Sequence, residues 1–253
     1  DEIKVGYLWT WPYNLILGYD YETGYTGFPI SIAEGTIIED AITGSGDDKI
    51  TCNVAVNSIT CGLGDDTVYA ISTGDSIYGG AGDDWFYISE ANFTIIDGGA
   101  GNDSLLLKDI GSSFNLSDFT DAQITGIENI DIQWGSANVL TLTKQAILNL
   151  GGDIAYDLDE DGDDDYVTWI LGDSGQDNIL LNAEGWSHDS NVSSYAFAVH
   201  GYVLEYDSYY KNDNGDTYFA TSTGVGVYEK TGDGDISITD QSVAENRADA
   251  DVG

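Results

Sequence analysis

Along the first half of the chain one apolar side chain recurs every nine residues, at Ala41, Ile50, Ile59, Val68, Ile77 and Phe86, and again at Leu105 after one inserted residue. Its neighbours are mostly polar or aromatic. A three-residue strand that points only its centre inward produces this pattern. The six residues between successive strands are then a turn, with glycine where a tight reversal demands positive φ. Self-similarity at a fixed short period marks stacked repeats. Two nonads complete one turn of a parallel coil with two thin, facing sheets, so residues eighteen apart lie above one another at about 4.8 Å.

That geometry sorts the turns onto two edges. TGSGDD (from Thr43), CGLGDD (Cys61), GGAGDD (Gly79) and GGAGND (Gly98) lie along the first; EGTIIE (Glu34), CNVAVN (Cys52) and AISTGD (Ala70) lie along the second and lack the glycine pattern. Each first-edge turn closes with an aspartate: Asp48, Asp66, Asp84 and Asp103. Carboxylates stacked at roughly 5 Å repel by about 3 kcal/mol per neighbouring pair at an effective dielectric near 20. A divalent cation between them is expected. Calcium takes six to eight oxygens, and the gap between stacked turns offers carboxylates and backbone carbonyls. The candidate binding turns are Gly44, Gly46 and Asp48; Gly62, Gly64 and Asp66; Gly80, Gly82 and Asp84; and Gly99, Gly101 and Asp103.

Charge strengthens this expectation. Seven Lys and Arg stand against 45 Asp and Glu, a formal net charge of -38. Such a chain repels nucleic acid and anionic membranes and destabilises its own compact form unless cations are taken up. No apolar run approaches the roughly 20 residues of a membrane span, so a soluble protein without membrane insertion is expected. Methionine is absent, position 1 included, which suggests a processed or excised segment.

The nonads resemble the GGxGxDxUx repeat of RTX proteins, calcium-dependent parallel β-rolls exported by type I secretion. The run SIAEGTIIEDAITGSGDDKI, residues 31–50, is similar to the start of the roll in serralysin-type proteases, although the zinc signature HExxH is absent and the histidines are His188 and His200. GIENIDI (from Gly126), ANVLTLTKQAILNL (from Ala137) and DNILLNAEGW (from Asp177) resemble the C-terminal region of large RTX adhesins. The resemblance implies an extracellular, calcium-binding, secreted or cell-surface protein.

Two further acidic stretches carry EF-hand-like spacing. Asp157, Asp159, Asp161, Asp163 and Asp165 occupy alternate positions with Gly162 sixth, but Thr168 stands where a bidentate Glu belongs. Glu229, Thr231, Asp233, Asp235 and Asp240 repeat the spacing after a strand-like GVGVY. Calcium and a plain solvated acidic loop both fit each stretch. Cys52 and Cys61 are the two cysteines. Secretion argues for a bridge, whereas their places at the start of consecutive nonads put them on opposite edges and favour free thiols. Tyr69, Tyr78, Trp85 and Tyr87 point outward, and the aromatic segment GYLWTWPYNLILGYDY (from Gly6) either caps that surface or offers a contact for a partner or sugar.

The expected architecture is all-β: an aromatic N-terminal segment or cap over residues 1–33, a calcium-binding parallel β-roll over 34–107, and a β-rich region over 108–253. Nucleophile elbows, phosphate loops and catalytic zinc sets are missing from the sequence. The reading is therefore a non-enzymatic structural or adhesive protein, such as an adhesin or a surface-layer, matrix or filament subunit, that self-associates or binds cell-surface or matrix components. The alternatives are the export region of a secreted RTX hydrolase and a sugar- or peptide-binding module.

Overall fold

The computed structural model describes residues 37–107, 113–120, 122–133, 138–151, 165–173, 176–182, 186–188, 195–199, 202–211, 217–222, 225–230 and 236–238, together with strands at 2–4, 15–16, 30–31 and 155–156. It is all-β with parallel sheets. The largest sheet stacks β1 (Glu2–Lys4), β5 (Lys49–Thr51), β7 (Thr67–Ile71), β9 (Trp85–Ile88), β11 (Ser104–Leu107), β14 (Asn129–Asp131), β17 (Asp165–Leu171) and β22 (Thr217–Ser222) in parallel. Antiparallel strands then follow: β21 (Tyr202–Lys211) pairs β22, β19 (Ser187–His188) and β20 (Tyr195–Val199), while β16 (Ala155–Tyr156) pairs β17.

Facing it, β4 (Asp40–Ile42), β6 (Ser58–Leu63), β8 (Ser76–Ala81), β10 (Ile95–Ala100) and β13 (Ile124–Thr125) form a second parallel sheet. A third stacks β12 (Ser113–Asn115), β15 (Val139–Leu142), β18 (Asn178–Asn182) and β23 (Gly226–Lys230) in parallel and closes with the antiparallel β24 (Ile236–Ile238). A hairpin joins β2 (Leu15–Ile16) to β3 (Ile30–Ser31).

The register is that of a roll. Ile50 lies beside Val68, Val68 beside Phe86, and Ile59 beside Ile77. Eighteen residues separate partners until the inserted residue lengthens the step to nineteen. Phe86 continues to Leu105, Ile130 and Ile170, all fully buried, so one apolar column runs past the last nonad. Phe114, Leu140, Ile179 and Val227 form the matching column of the third sheet.

Strands of the second sheet are longer than a three-residue rung. β6, β8 and β10 each span six residues, because the first half of the following turn stays extended and keeps pairing. Two side chains per rung therefore point inward, as Ile59 and Cys61 do in β6, and the four-residue β9 of the largest sheet likewise buries Phe86 and Ile88. Both thiols are buried and free, and burial pushes Cys52 up to about 12 and Cys61 higher still. They behave as small apolar groups, not nucleophiles.

Past the roll a short helix, α1 (Lys144–Leu150), turns Ala146, Ile147 and Leu150 into the core. The Thr143 hydroxyl accepts the Ala146 N–H at 3.0 Å, and Gly151 ends the helix in the left-handed conformation at φ 66°.

Phe86 sits mid-column with a rung on either side. Replacing it by Ala is expected to cost about 3–5 kcal/mol, read as a lowered midpoint in urea at fixed solution conditions. A loss under about 1 kcal/mol would show that the stack collapses around the gap.

Candidate metal centre

Each rung of the first edge turns back just before an inward apolar residue, and the turn brings an aspartate two positions ahead of it. Asp48, Asp66, Asp84 and Asp103 are all buried, at 6%, 1%, 0% and 0% exposure. They form a ladder. The Asp48 N–H donates to Asp66 Oδ1 at 2.7 Å, the Asp66 N–H to Asp84 Oδ1 at 2.8 Å, and the Asp84 N–H to Asp103 Oδ1 at 2.8 Å. One oxygen of each upper carboxylate is thus spent on the backbone below. The other oxygen of Asp66, Asp84 and Asp103 is buried with no hydrogen-bond partner.

The glycines explain why the column can exist. A Cβ on Gly79 would lie 2.2 Å from Asp84 Oδ2, and one on Gly98 would lie 2.5 Å from Asp103 Oδ2. The first residue of these two turns must leave that space to the carboxylate. Gly82, at φ +132°, has no room either, since its Cβ would meet Gly64 O at 2.1 Å. Equivalent carbonyls of Gly44, Gly46, Gly62 and Gly80 crowd Gly62, Gly64, Gly80 and Gly99, and Gly101 meets Gly82 O. Carbonyl oxygens and carboxylates therefore share the narrow stack.

A second, outer ladder runs beside the first in the opposite sense. The Asp65 N–H donates to Asp47 Oδ1, the Asp83 N–H to Asp65 Oδ1, and the Asn102 N–H to Asp83 Oδ1, each at 2.9 Å. Inner carboxylates reach back one rung, and outer ones reach forward. Two rows of like charge thus line a single edge.

The opposite edge is chemically different. Asp75 Oδ1 accepts the Asn57 N–H at 2.8 Å, as in the inner ladder, but Asp75 Oδ2 accepts the Ser72 N–H at 2.8 Å. Asn57 replaces the next carboxylate, and its amide donates to Ile38 O at 3.2 Å. Both Asp75 oxygens have partners inside the fold, and among the described residues this edge has no buried carboxylate oxygen without one.

Unpartnered, buried carboxylate oxygens are what a hard cation requires. Among the described residues no three His, Cys, Asp or Glu side chains converge on one point, so an ion between rungs would take one carboxylate oxygen from each flanking aspartate and complete its shell with backbone carbonyls and water. The donor set is all oxygen, which suits calcium and gives no hold to a soft metal. The residues fit the ion.

Of the other anticipated ligands, Asp165 begins β17 and Glu229 lies in β23. Asp157, Asp159, Asp161, Asp163, Thr231, Asp233, Asp235 and Asp240 lie outside the described residues. Their stretches join antiparallel pairs, β16 to β17 and β23 to β24. Tyr69 and Tyr87 stack at 4.7 Å on the outer face of the largest sheet, with Trp85 beside Tyr87 at 6.3 Å, whereas Tyr78 lies on the second sheet.

Sequence reasoning passed over Glu128 and Asp177. Both stand two residues before a buried apolar residue, as the ladder aspartates do, and GDSGQDNIL, from Gly172, matches the nonad spacing. Glu128 Oε2 accepts the Asp103 N–H at 2.6 Å. Asp177 Oδ1 accepts the Asn138 N–H at 2.8 Å and its Oδ2 the Asp173 N–H at 2.6 Å. Asp177 is therefore satisfied within the fold, like Asp75.

Burial lifts the inner carboxyls, Asp66 to about 6, Asp84 to about 7 and Asp103 to about 8; neighbouring acids add to the rise, and the backbone N–H each accepts opposes it. Their folded values exceed the ordinary 3.8, so the cation-free fold binds more protons than the unfolded chain. Its stability is full below that value and is lost progressively as pH rises from about 4 to about 8, where the last carboxyl ionises. In chelator the melting temperature should fall across that window, and Asp103→Asn should flatten the upper part. A melting temperature that holds steady or climbs would contradict the assignment.

No curated protein and no solved structure matches the chain. A family model described as Peptidase M10 serralysin C terminal matches residues 21–208, a span that starts ahead of the roll and includes the whole ladder, Glu128 and Asp177. Domains of this family are RTX-type parallel β-rolls that bind calcium, and they form the non-catalytic part of proteins secreted by type I systems. With most of its length matched and its strands wound as a parallel roll, the chain belongs to the serralysin C-terminal family of the M10 peptidases.

Proposed function

We propose that the chain is an extracellular, calcium-dependent structural or adhesive module whose roll folds, and whose copies associate, when calcium fills the first edge. One observation carries the calcium part: three buried carboxylate oxygens in a row without a partner on that edge, against a fully satisfied aspartate on the other. An ion that binds only the folded state stabilises it by about 2.7 kcal/mol at a hundredfold excess over Kd. A chain that stays unfolded in a low-calcium cell and folds outside suits export by a type I system.

The structural role rests on charge and on the lack of a catalytic set. Subunits at -38 repel one another until bound cations lower the charge, and ions shared between acidic turns of neighbouring copies could bridge them. The aromatic N-terminal segment would supply the apolar contact that orients such an interface. The family match favours a second reading equally well: the calcium-binding export region of a secreted hydrolase.

Three measurements separate these readings. At about pH 8, where the inner carboxyls ionise, circular dichroism should show strand signal and melting temperature collapsing in chelator; an unchanged signal refutes calcium-dependent folding. Asp66→Ala, which touches the intervals on both sides, should lower calcium stoichiometry, while Asn57→Ala on the opposite edge should not; equal losses would overturn the one-edge assignment. Light scattering should grow with calcium more than with magnesium, and less once residues 1–30 are deleted. A particle still monomeric at millimolar calcium sinks the structural-subunit reading and leaves the export region.

A further inference from the structure

The inner ladder continues beyond its last glycine-rich turn. Above Asp103 the chain leaves the roll, passes through β12 and β13, and returns as β14 directly on β11. The step is 25 residues instead of 18 or 19. Even so, Ile130 lands beside Leu105 in the apolar column, and Glu128 takes the sequence place, two residues earlier, that aspartate holds in every rung below. Its Oε2 accepts the Asp103 N–H at 2.6 Å, the same bond from the same donor position.

The outer row ends here, because its place in the returning rung is the apolar Ile127. Asn102 Oδ1 instead accepts the side-chain amide of Asn129, the strand partner of Ser104, at 2.7 Å. The inner row stays acidic, with Glu128 only 1% exposed. Asp103 Oδ2 is fully buried without a partner, and it shares a crowded site with the carbonyl of the returning chain: a Cβ on Gly98 would lie 2.5 Å from it and 2.0 Å from Gly126 O.

We propose that Glu128 is the terminal ligand of the cation row, holding an ion with Asp103 and fastening the C-terminal coil to the roll. This rests on the calcium reading above and extends it to a rung outside the nonads. A buried Asp103–Glu128 pair repels, and the last interval is where β11, β14 and β17 must stack for the apolar column to run from Leu105 to Ile170. An ion there bridges the joint between the roll and the C-terminal coil. Calcium binding along the first edge then drives docking of β14, β15 and β17 as well as closure of the roll.

A purely structural Glu128 would need only an acceptor for the Asp103 N–H, which glutamine retains. An ion ligand needs the charge, which glutamine lacks. The test is calorimetric calcium titration of the full chain together with hydrogen exchange, on the wild type, Glu128→Gln and Glu128→Asp. Glu128→Gln should bind one ion fewer and lose calcium-dependent protection over residues 139–151 and 167–171, with protection over 58–88 kept. Glu128→Asp keeps the charge on a shorter arm and should retain the ion with affinity lowered by about tenfold or more. Full stoichiometry and unchanged exchange in Glu128→Gln would overturn the proposal, as would Glu128→Asp losing the ion outright while Glu128→Gln keeps it. A wild type that binds no calcium would instead fail the parent reading, so the two failures are distinct.

Discussion

The structure depends on one constraint: every turn of the coil puts a carboxylate directly over another, at the strand-to-strand spacing of about 4.8 Å. That distance is set by backbone hydrogen bonding and cannot relax without breaking the sheet. Repulsion along the column is therefore a fixed cost of stacking. The backbone offsets part of it, since each inner aspartate of the upper rungs accepts an N–H from the rung below. What remains is one buried oxygen on each of Asp66, Asp84 and Asp103 that the described protein groups do not satisfy.

The two edges of the same coil resolve this constraint in two ways. On the second edge Ser72 turns its N–H onto Asp75 and the neighbouring carboxylate becomes the Asn57 amide, so polar groups close on one another. On the first edge glycine removes the side chains that would fill the space, and the carboxylates face carbonyl oxygens. The first edge keeps buried carboxylate oxygens without a partner, and Asp75 on the second has both of its oxygens bonded. Under the proposed function, a protein built this way would couple its folding to ion concentration through the first edge.

The same logic reaches into the C-terminal half. The apolar column passes from Leu105 to Ile130 and Ile170 although the connecting segments grow from a turn to a whole helix and several strands. Stacking is thus more general than the nonad, and Glu128 shows that the acid column follows the stack and not the repeat. Antiparallel strands finish the largest and third sheets, where β21 covers β22 and β24 covers β23.

Much of this was legible in the sequence, for a physical reason: a coil with period eighteen has only local rules. The inward residues Ile50, Ile59, Val68, Ile77 and Phe86, the glycines, and the acids Asp48, Asp66, Asp84 and Asp103 follow from spacing alone, because each rung repeats the contacts of the last. The parallel roll and the difference between its edges follow with them. Other features depended on long-range packing. Strands six residues long arise because neighbours keep the first half of each turn extended, which no single nonad encodes. The satisfied state of Asp75 depends on where Ser72 folds back, and the ladder role of Glu128 on a chain that wanders 25 residues before it returns in phase. Spacing determined which carboxylates stack; only the tertiary structure decided which of them keep a buried oxygen without a partner.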